Sequence, residues 1–341
     1  MSHSYTEREL TERVPLCTPA GKLNSNSIGW SRKPVISGNL SGNFLRKKKW
    51  NYWCMMSDEI LFSVTVSHLD YAMVCFVYFL EYETKDFFEK TVVIPFSYNR
   101  KMPEDVQNSI TFNHRHMNIE LLWLEQKYLI NVHIPDFRGK PLHANLTIDF
   151  PADLDSLSVV IPWSTTEFQL TTKAHCLPVG GSVSIGTQSY SFNKNDHFAI
   201  LDYGRGVWPR KSVWNWGMAS GRQGEMIIGL NFGGKWTDGT GSNENALLLN
   251  GHLIKINEDV NFIYDRNDFM KPWTIRSLVT NQIDLQFTPF FERVAQTNAF
   301  IITSEVHQMV GHYNGVIELP DGRSIEIRQM LGCIEEHRAK W

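Results

Sequence analysis

The 341-residue chain predicts an all-β protein: two antiparallel β-barrels side by side, preceded by an extended N-terminal arm. Three observations lead there. Short runs of β-branched and aromatic residues recur from Asn51 onward, bounded by Pro, Asp and Gly. Hairpin signals such as Asn250-Gly251 and Asp321-Gly322 join them, so neighbouring strands should be antiparallel. No amphipathic window of helical period lasts beyond a few turns, and the strand runs fall into two meandering halves.

The elements follow in order. Residues 1–49 are rich in Pro, Gly, Asn and Ser and should form an arm on the body, with "LTERVPLCTPAGKLN" placed to cross a barrel mouth. Residues 50–165 carry the first barrel, through "ILFSVTVSHL", "MVCFVYFLEYE", "NIELLWLEQKYLINVHI", "HANLTIDFP" and "LSVVIPW". Residues 166–341 carry the second, through "HFAILDYG", "SVWNWGMASG", "EMIIGLNFGG", "ENALLLNGHLIKI" and the run that begins at His307. The boundary is set near residue 165, where "VVIPWSTTEFQL" closes one strand and opens another.

Composition narrows the class. Hydrophobic residues at 42% and charged residues at 20% describe a globular rather than a disordered chain. A net charge of −3 makes no electrostatic case for a nucleic-acid partner. Five scattered cysteines without a CxxC pair suit free thiols in a reducing compartment, and no metal site is expected. The polar N-terminus lacks a signal peptide's apolar segment, and no apolar run nears the ~20 residues of a membrane span. The expectation is a cytoplasmic, bacterial protein without an integral membrane segment.

"DYGRGVWPRKSVWNWGMASGRQ" (Asp202 to Gln223) sets one carboxylate and three arginines among three tryptophans. Ser212–Gly221 and Glu225–Gly233 read as a hairpin around "GRQG". Alternation puts Trp214, Trp216 and Met218 on one face and Asn215, Gly217 and Ala219 on the other. On the second strand Met226, Ile228, Leu230 and Phe232 oppose Ile227, Gly229, Asn231 and Gly233. If bulky meets bulky, Asn215 and Asn231 share a face lined by small residues, with room for a ligand inside the second barrel. A slip of one residue undoes that pairing.

"GGKWTDGTGSNEN" (Gly233 to Asn245) gathers Lys235, Asp238, Glu244 and Asn245 around Trp236 in a loop with four glycines. Its spacing is neither a P-loop nor an EF-hand. It is a plain long hairpin loop or one that lets backbone approach a ligand. His307 and His312, like His114 and His116, lack metal-ligand spacing. No GxSxG, HExxH or dinucleotide fingerprint is present.

Long motifs in the chain, "ELTERVPLCTPAGKLNSNSIGWSRKP", "RKKKWNYWC", "DYGRGVWP", "WNWGMASGR", "GLNFGGKWTDGTGSNENAL" and "EEHRAKW", resemble the bacterial family called domain of unknown function 2804. That family is in turn distantly similar to lipocalin-like two-barrel proteins that include hydroxyneurosporene synthase (carotenoid hydratase) and tocopherol cyclase. The resemblance implies tandem calycin barrels and carries over no catalytic residue.

Two function classes stand. In the first, a cofactor-independent acid–base enzyme uses Asp202, Asp238 and Glu244 as proton donor and base. Trp208, Trp214, Trp216 and Trp236 would stabilise a developing cation, and Arg205, Lys235, Asn215, Asn231 or Asn245 would hold the ligand. Hydration, cyclisation or isomerisation of a terpenoid- or lipid-like molecule fits, as does glycoside cleavage by paired carboxylates. In the second class the barrel carries a lipophilic small molecule and the charges sit at its rim. A plainer reading lets Arg205 and Arg222 pair with these acids to pin the barrels together.

Overall fold

The computed structural model describes residues 6–98, 100–299 and 302–340. Among them the one helical turn is Ser25–Ser27, and no helix is long and apolar enough to cross a membrane. The strands form two curled antiparallel sheets, one for each barrel, and a short parallel pair in the arm, Val14–Pro15 with Ile36–Ser37.

The first sheet has thirteen strands. Its main path runs Phe87–Pro95, Ala72–Glu81, Ile60–His68, Lys47–Met56, Phe198–Val207, Phe168–Ile185, Lys140–Asp149, Lys127–Phe137, Met117–Leu124 and Ile110–His114. The second has nine: His252–Lys255, Ala246–Leu249, Met226–Gly234, Lys211–Gln223, Ser324–Lys340, Ile302–Glu318, Ile283–Ala299, Trp273–Ser277 and Val260–Ile263. Each is a meander whose first long strand pairs with its last, Lys47–Met56 with Phe198–Val207 and Lys211–Gln223 with Ser324–Lys340. That return curls each sheet around its own core. The hairpin signal at Asn250-Gly251 is realised with φ of 49° and 86°, as a type I′ turn requires.

The chain changes sheets at Trp208–Arg210, not at residue 165. Phe168–Ile185 and Phe198–Val207 complete the first barrel by pairing back to its earlier strands. The apparent break near residue 165 is only the turn between Leu157–Pro162 and Phe168–Ile185. The arm is pinned rather than free: Leu16 and Ile36 join the first barrel's core, and Trp30–Ser31 pairs with Ser158–Val159. Glu7 buries its carboxylate on Lys255 Nζ, 2.6 Å away in the second barrel.

Strands between the barrels have two buried faces. Along Phe198–Val207, Ala199, Leu201, Tyr203 and Val207 enter the first core, while Phe198 and Ile200 join clusters shared with the second barrel. Cys54, Tyr78 and Ile200 thus pack against Trp216, Met218, Val310 and Cys333. The barrels meet through outer faces of their sheets, with a buried apolar cluster at the centre of the seam and partly exposed aromatics such as Trp50 and Trp214 at its edge.

The hairpin register differs from the bulky-on-bulky expectation. Trp216 lies opposite Gly233 and Met218 opposite Asn231, whereas Gly217 faces Phe232 and Ala219 faces Leu230. Large meets small on both faces, which fills the space evenly. Asn215 therefore faces the second barrel's interior, bonding Tyr264, and Asn231 faces the seam.

Candidate active site

The polar centre lies in the seam rather than inside the second barrel. Period two along Phe198–Val207 turns Asp202 outward from the first core, and Lys173 stands opposite it on the neighbouring strand. Lys173 Nζ lies 3.0 Å from Asp202 Oδ1 and 3.2 Å from Glu244 Oε2, which arrives from the second barrel. The same ammonium sits 3.9 Å from the centroid of the Trp216 ring. Burial opposes the lysine's charge, but the two carboxylates outweigh it and hold its pKa above the ordinary value. Burial pushes Glu244 up, with Asp202 adding to the rise and Lys173 opposing it.

Indole N–H groups orient both acids. Trp50 Nε1 donates to Asp202 Oδ2 at 3.0 Å, alongside Thr171 Oγ1 to Oδ1 at 3.1 Å. Trp236 Nε1 donates to Glu244 Oε1 at 2.9 Å. Two glycines make this possible. A Cβ at Gly204 would overlap the Trp50 ring, and one at Gly233 would overlap the Glu244 carboxylate. Asn231 ties the layer together, accepting from Trp216 Nε1 at 2.8 Å and donating to the Glu244 carbonyl at 2.6 Å. His175 spans the seam to Asn231 Oδ1 and the Ala219 carbonyl, each at 3.2 Å. Burial lowers its pKa to about 4, so it is neutral at pH 7. Beside Lys173, His175 and Asn231 is a void of about 10 Å³, the size of one water.

A third carboxyl, unforeseen from sequence, completes the layer. Glu335 accepts from Trp214 Nε1 and from Gln308 Nε2, each at 3.1 Å. Gln308 Oε1 in turn accepts from Tyr78 OH at 2.7 Å, and Tyr52 OH lies 2.8 Å from Tyr78 OH. Its two donors are neutral. Burial pushes Glu335 up to about 7, with the Trp214 hydrogen bond and the more distant Lys173 and Arg293 opposing. Glu335 and Glu336 are adjacent in "EEHRAKW", and alternation sends them to opposite faces of one strand, Glu335 to the seam and Glu336 to the second barrel's interior. That motif was the available signal; what it lacked was a partner in the listing order of the chain.

Seven of the expected site residues reach this layer or its wall: Asp202, Glu244, Trp208, Trp214, Trp216, Asn231 and Trp236. Trp208 stacks on Trp236 with centroids 5.3 Å apart and touches Trp214 at 5.2 Å. The others do not. Asp238 is exposed and its Oδ1 accepts from Lys235 N at 2.9 Å, closing a turn. Arg205 points into the first core, where its guanidinium serves the Pro103, Trp50 and Gly204 carbonyls and Asn51 Oδ1. Lys235 reaches Glu336 at 2.9 Å inside the second barrel. Asn245 staples its own loop, from Gly233 N to the Glu258 carbonyl. Arg222 donates to the Asn195 carbonyl, so the arginines do not pin the barrels through these acids. Cross-seam ion pairs are made instead by Lys173 with Glu244 and by Arg293 with Glu89, the latter at 2.8 Å.

Fold and centre together define a class: two packed antiparallel barrels with a charged, indole-walled layer buried between them. The chain belongs to the family described as Domain of unknown function (DUF2804), whose profile matches residues 7–341. Compared by sequence with curated proteins, it matches none. Among solved structures, CghA with Sch210972 superposes with a TM-score of 0.51 at 8% identity, covering 93% of this chain and 97% of that one. Kievitone hydratase from Nectria haematococca gives 0.49 at 8% identity, over 86% and 88%. The CghA match shows a shared lipocalin-like two-barrel fold along nearly the whole chain.

Proposed function

We propose that the chain is an acid–base enzyme acting on a small, largely apolar organic molecule at the seam. One observation carries this reading: Glu335 is a buried carboxyl held by neutral donors, with a pKa of about 7, in the same layer as the Asp202–Lys173–Glu244 cluster. A group that only pinned two barrels would be matched to a cation. Glu335 instead holds a transferable proton near neutral pH, the range in which a general acid is most effective. Trp50, Trp214 and Asp202 keep partial exposure, which marks the side from which a substrate reaches the layer.

The chemistry that follows is proton addition to a double bond or other electron-rich group. Protonated Glu335 donates, and positive charge develops on the substrate. The half-exposed Trp214 ring stabilises it by ~0.5–2 kcal/mol. Water or an internal nucleophile then adds, and its proton passes to Asp202, which Lys173 Nζ holds at 3.0 Å. Hydration, cyclisation and isomerisation are variants of this sequence. A transferred proton returning from Asp202 to Glu335 resets the site.

The test begins with the molecule. Native mass spectrometry of protein purified from its own cells identifies a bound ligand, and extracts of a deletion strain supply candidate substrates. Wild-type protein should consume one of them, and Glu335→Gln should bind it but turn it over at least ~100-fold more slowly. Full turnover by Glu335→Gln would remove Glu335 from the chemistry. Ligand binding with no turnover by the wild type would leave the carrier reading instead.

A further inference from the structure

We propose that the second barrel holds a separate binding site, at its polar end, for a small zwitterion of the amino-acid type. A cavity of about 410 Å³ opens there, bounded by Arg266, Phe269, Glu292, Glu305, His307 and Arg338 over Glu336. Its volume lies within the range of small-molecule pockets. Nothing in the seam chemistry uses these residues, so the inference does not rest on the proposed reaction.

The cavity is divided by charge. On one side three cations converge on a single carboxylate. Glu336 Oε1 receives Arg338 Nε at 2.8 Å, while Oε2 receives Lys235 Nζ at 2.9 Å and the hydroxyl of Tyr264. Arg266 Nε approaches the same carboxylate at 3.6 Å. With Asp268, which also lines the cavity, two negative charges face three positive ones and one positive charge is left over, and the two guanidinium groups remain 60% and 50% exposed. On the other side two carboxylates share one imidazole. His307 Nδ1 lies 2.7 Å from Glu292 Oε1, and Nε2 lies 3.2 Å from Glu305 Oε1. Whatever the ring's protonation, that wall is net negative.

The two groups of charge adjoin, since Glu305 lies directly across from Arg338 and His307 from Glu336 on neighbouring strands. Among the described residues neither Arg266 nor Arg338 forms an ion pair with Glu292 or Glu305. A carboxylate on the ligand completes the arginine side with planar, two-point hydrogen bonding, and an ammonium completes the glutamate side. Phe269, stacked on His307 with centroids 4.3 Å apart, supplies an apolar surface between the two poles. One molecule carrying both charges satisfies the cavity; a lipid or an uncharged terpenoid leaves both sides unmet.

Calorimetric titration of the full chain with each protein amino acid in turn tests the assignment. At least one should saturate a single site below about 1 mM. Its deaminated and decarboxylated analogues should each bind at least ~10-fold more weakly. Arg338→Gln should weaken the amino acid at least ~10-fold but not the decarboxylated amine, and Glu305→Gln should weaken the amino acid but not the deaminated acid. Glu335→Gln, in the seam, should leave binding unchanged. Failure of every amino acid to saturate a site by about 10 mM, or equal binding of the truncated analogues, overturns the proposal. The analogue series needs no variant, so the answer survives a substitution that fails to fold.

Discussion

Lys173, carried by the first barrel, meets Glu244, carried by the second, with 3.2 Å between ammonium and carboxylate and almost no solvent on either group. Asp202 holds the same ammonium at 3.0 Å, so one cation balances acids from both halves of the chain. Removing a single partner from such a cluster strands the remaining charges where water cannot reach them. Lys173→Met should cost about 3–5 kcal/mol, read from urea unfolding midpoints. Adding Glu244→Gln to that variant should recover a substantial part of the loss. Simple additivity of the two changes would show that the pair is not coupled.

Glu335 makes stability depend on pH in a defined direction. Its folded pKa of about 7 lies above the ordinary glutamate value of about 4.3, so the native protein keeps a proton that the unfolded chain releases. The contribution is intact below about 4.3, falls as pH rises through that window, and is gone above about 7. It amounts to about 3–4 kcal/mol. Glu335→Gln should flatten the fall in unfolding free energy between these limits and remove the corresponding limb from any pH–rate profile.

Gly204 and Gly233 let bulky polar groups lie flat across the strands. In Gly204→Ala the new methyl would enter the Trp50 ring, releasing its N–H from Asp202; in Gly233→Ala it would displace the Glu244 carboxylate. Each should lose about 1–3 kcal/mol of stability, measured by thermal or denaturant melting. Both should also impair turnover, whereas Gly224→Ala, where an added Cβ meets nothing within 4 Å, should leave turnover unchanged.

Asp238→Asn separates loop from site. The side chain is exposed and closes a turn on Lys235 N, a bond an asparagine oxygen can also accept. Stability should change by less than about 1 kcal/mol, and activity should match the wild type. A large loss of turnover in a normally folded Asp238→Asn protein would place catalysis in the loop instead of the seam.

The strands and their antiparallel order were legible because alternation, β-branched content and turns such as Asn250-Gly251 are local properties. Alternation also separated Trp214 and Trp216 from Asn215 correctly. It could not choose the register that sets Trp216 against Gly233, since that choice depends on filling space between two sheets. Nor could it mark the domain change. Along Phe198–Val207 every residue except Asp202 is buried, so the strand has no polar face to identify an outside.

By itself, then, the order of residues determined an all-β chain of two meanders, the aromatic and acidic groups available to it, and the family to which it belongs. Only the tertiary structure decided that Asp202, Glu244 and Glu335 converge between the barrels while Arg205, Asn215 and Lys235 turn into the cores. The physical reason is that a strand presents two faces at equal spacing, and which one meets a core, a partner barrel or water depends on contacts made by residues far away along the chain.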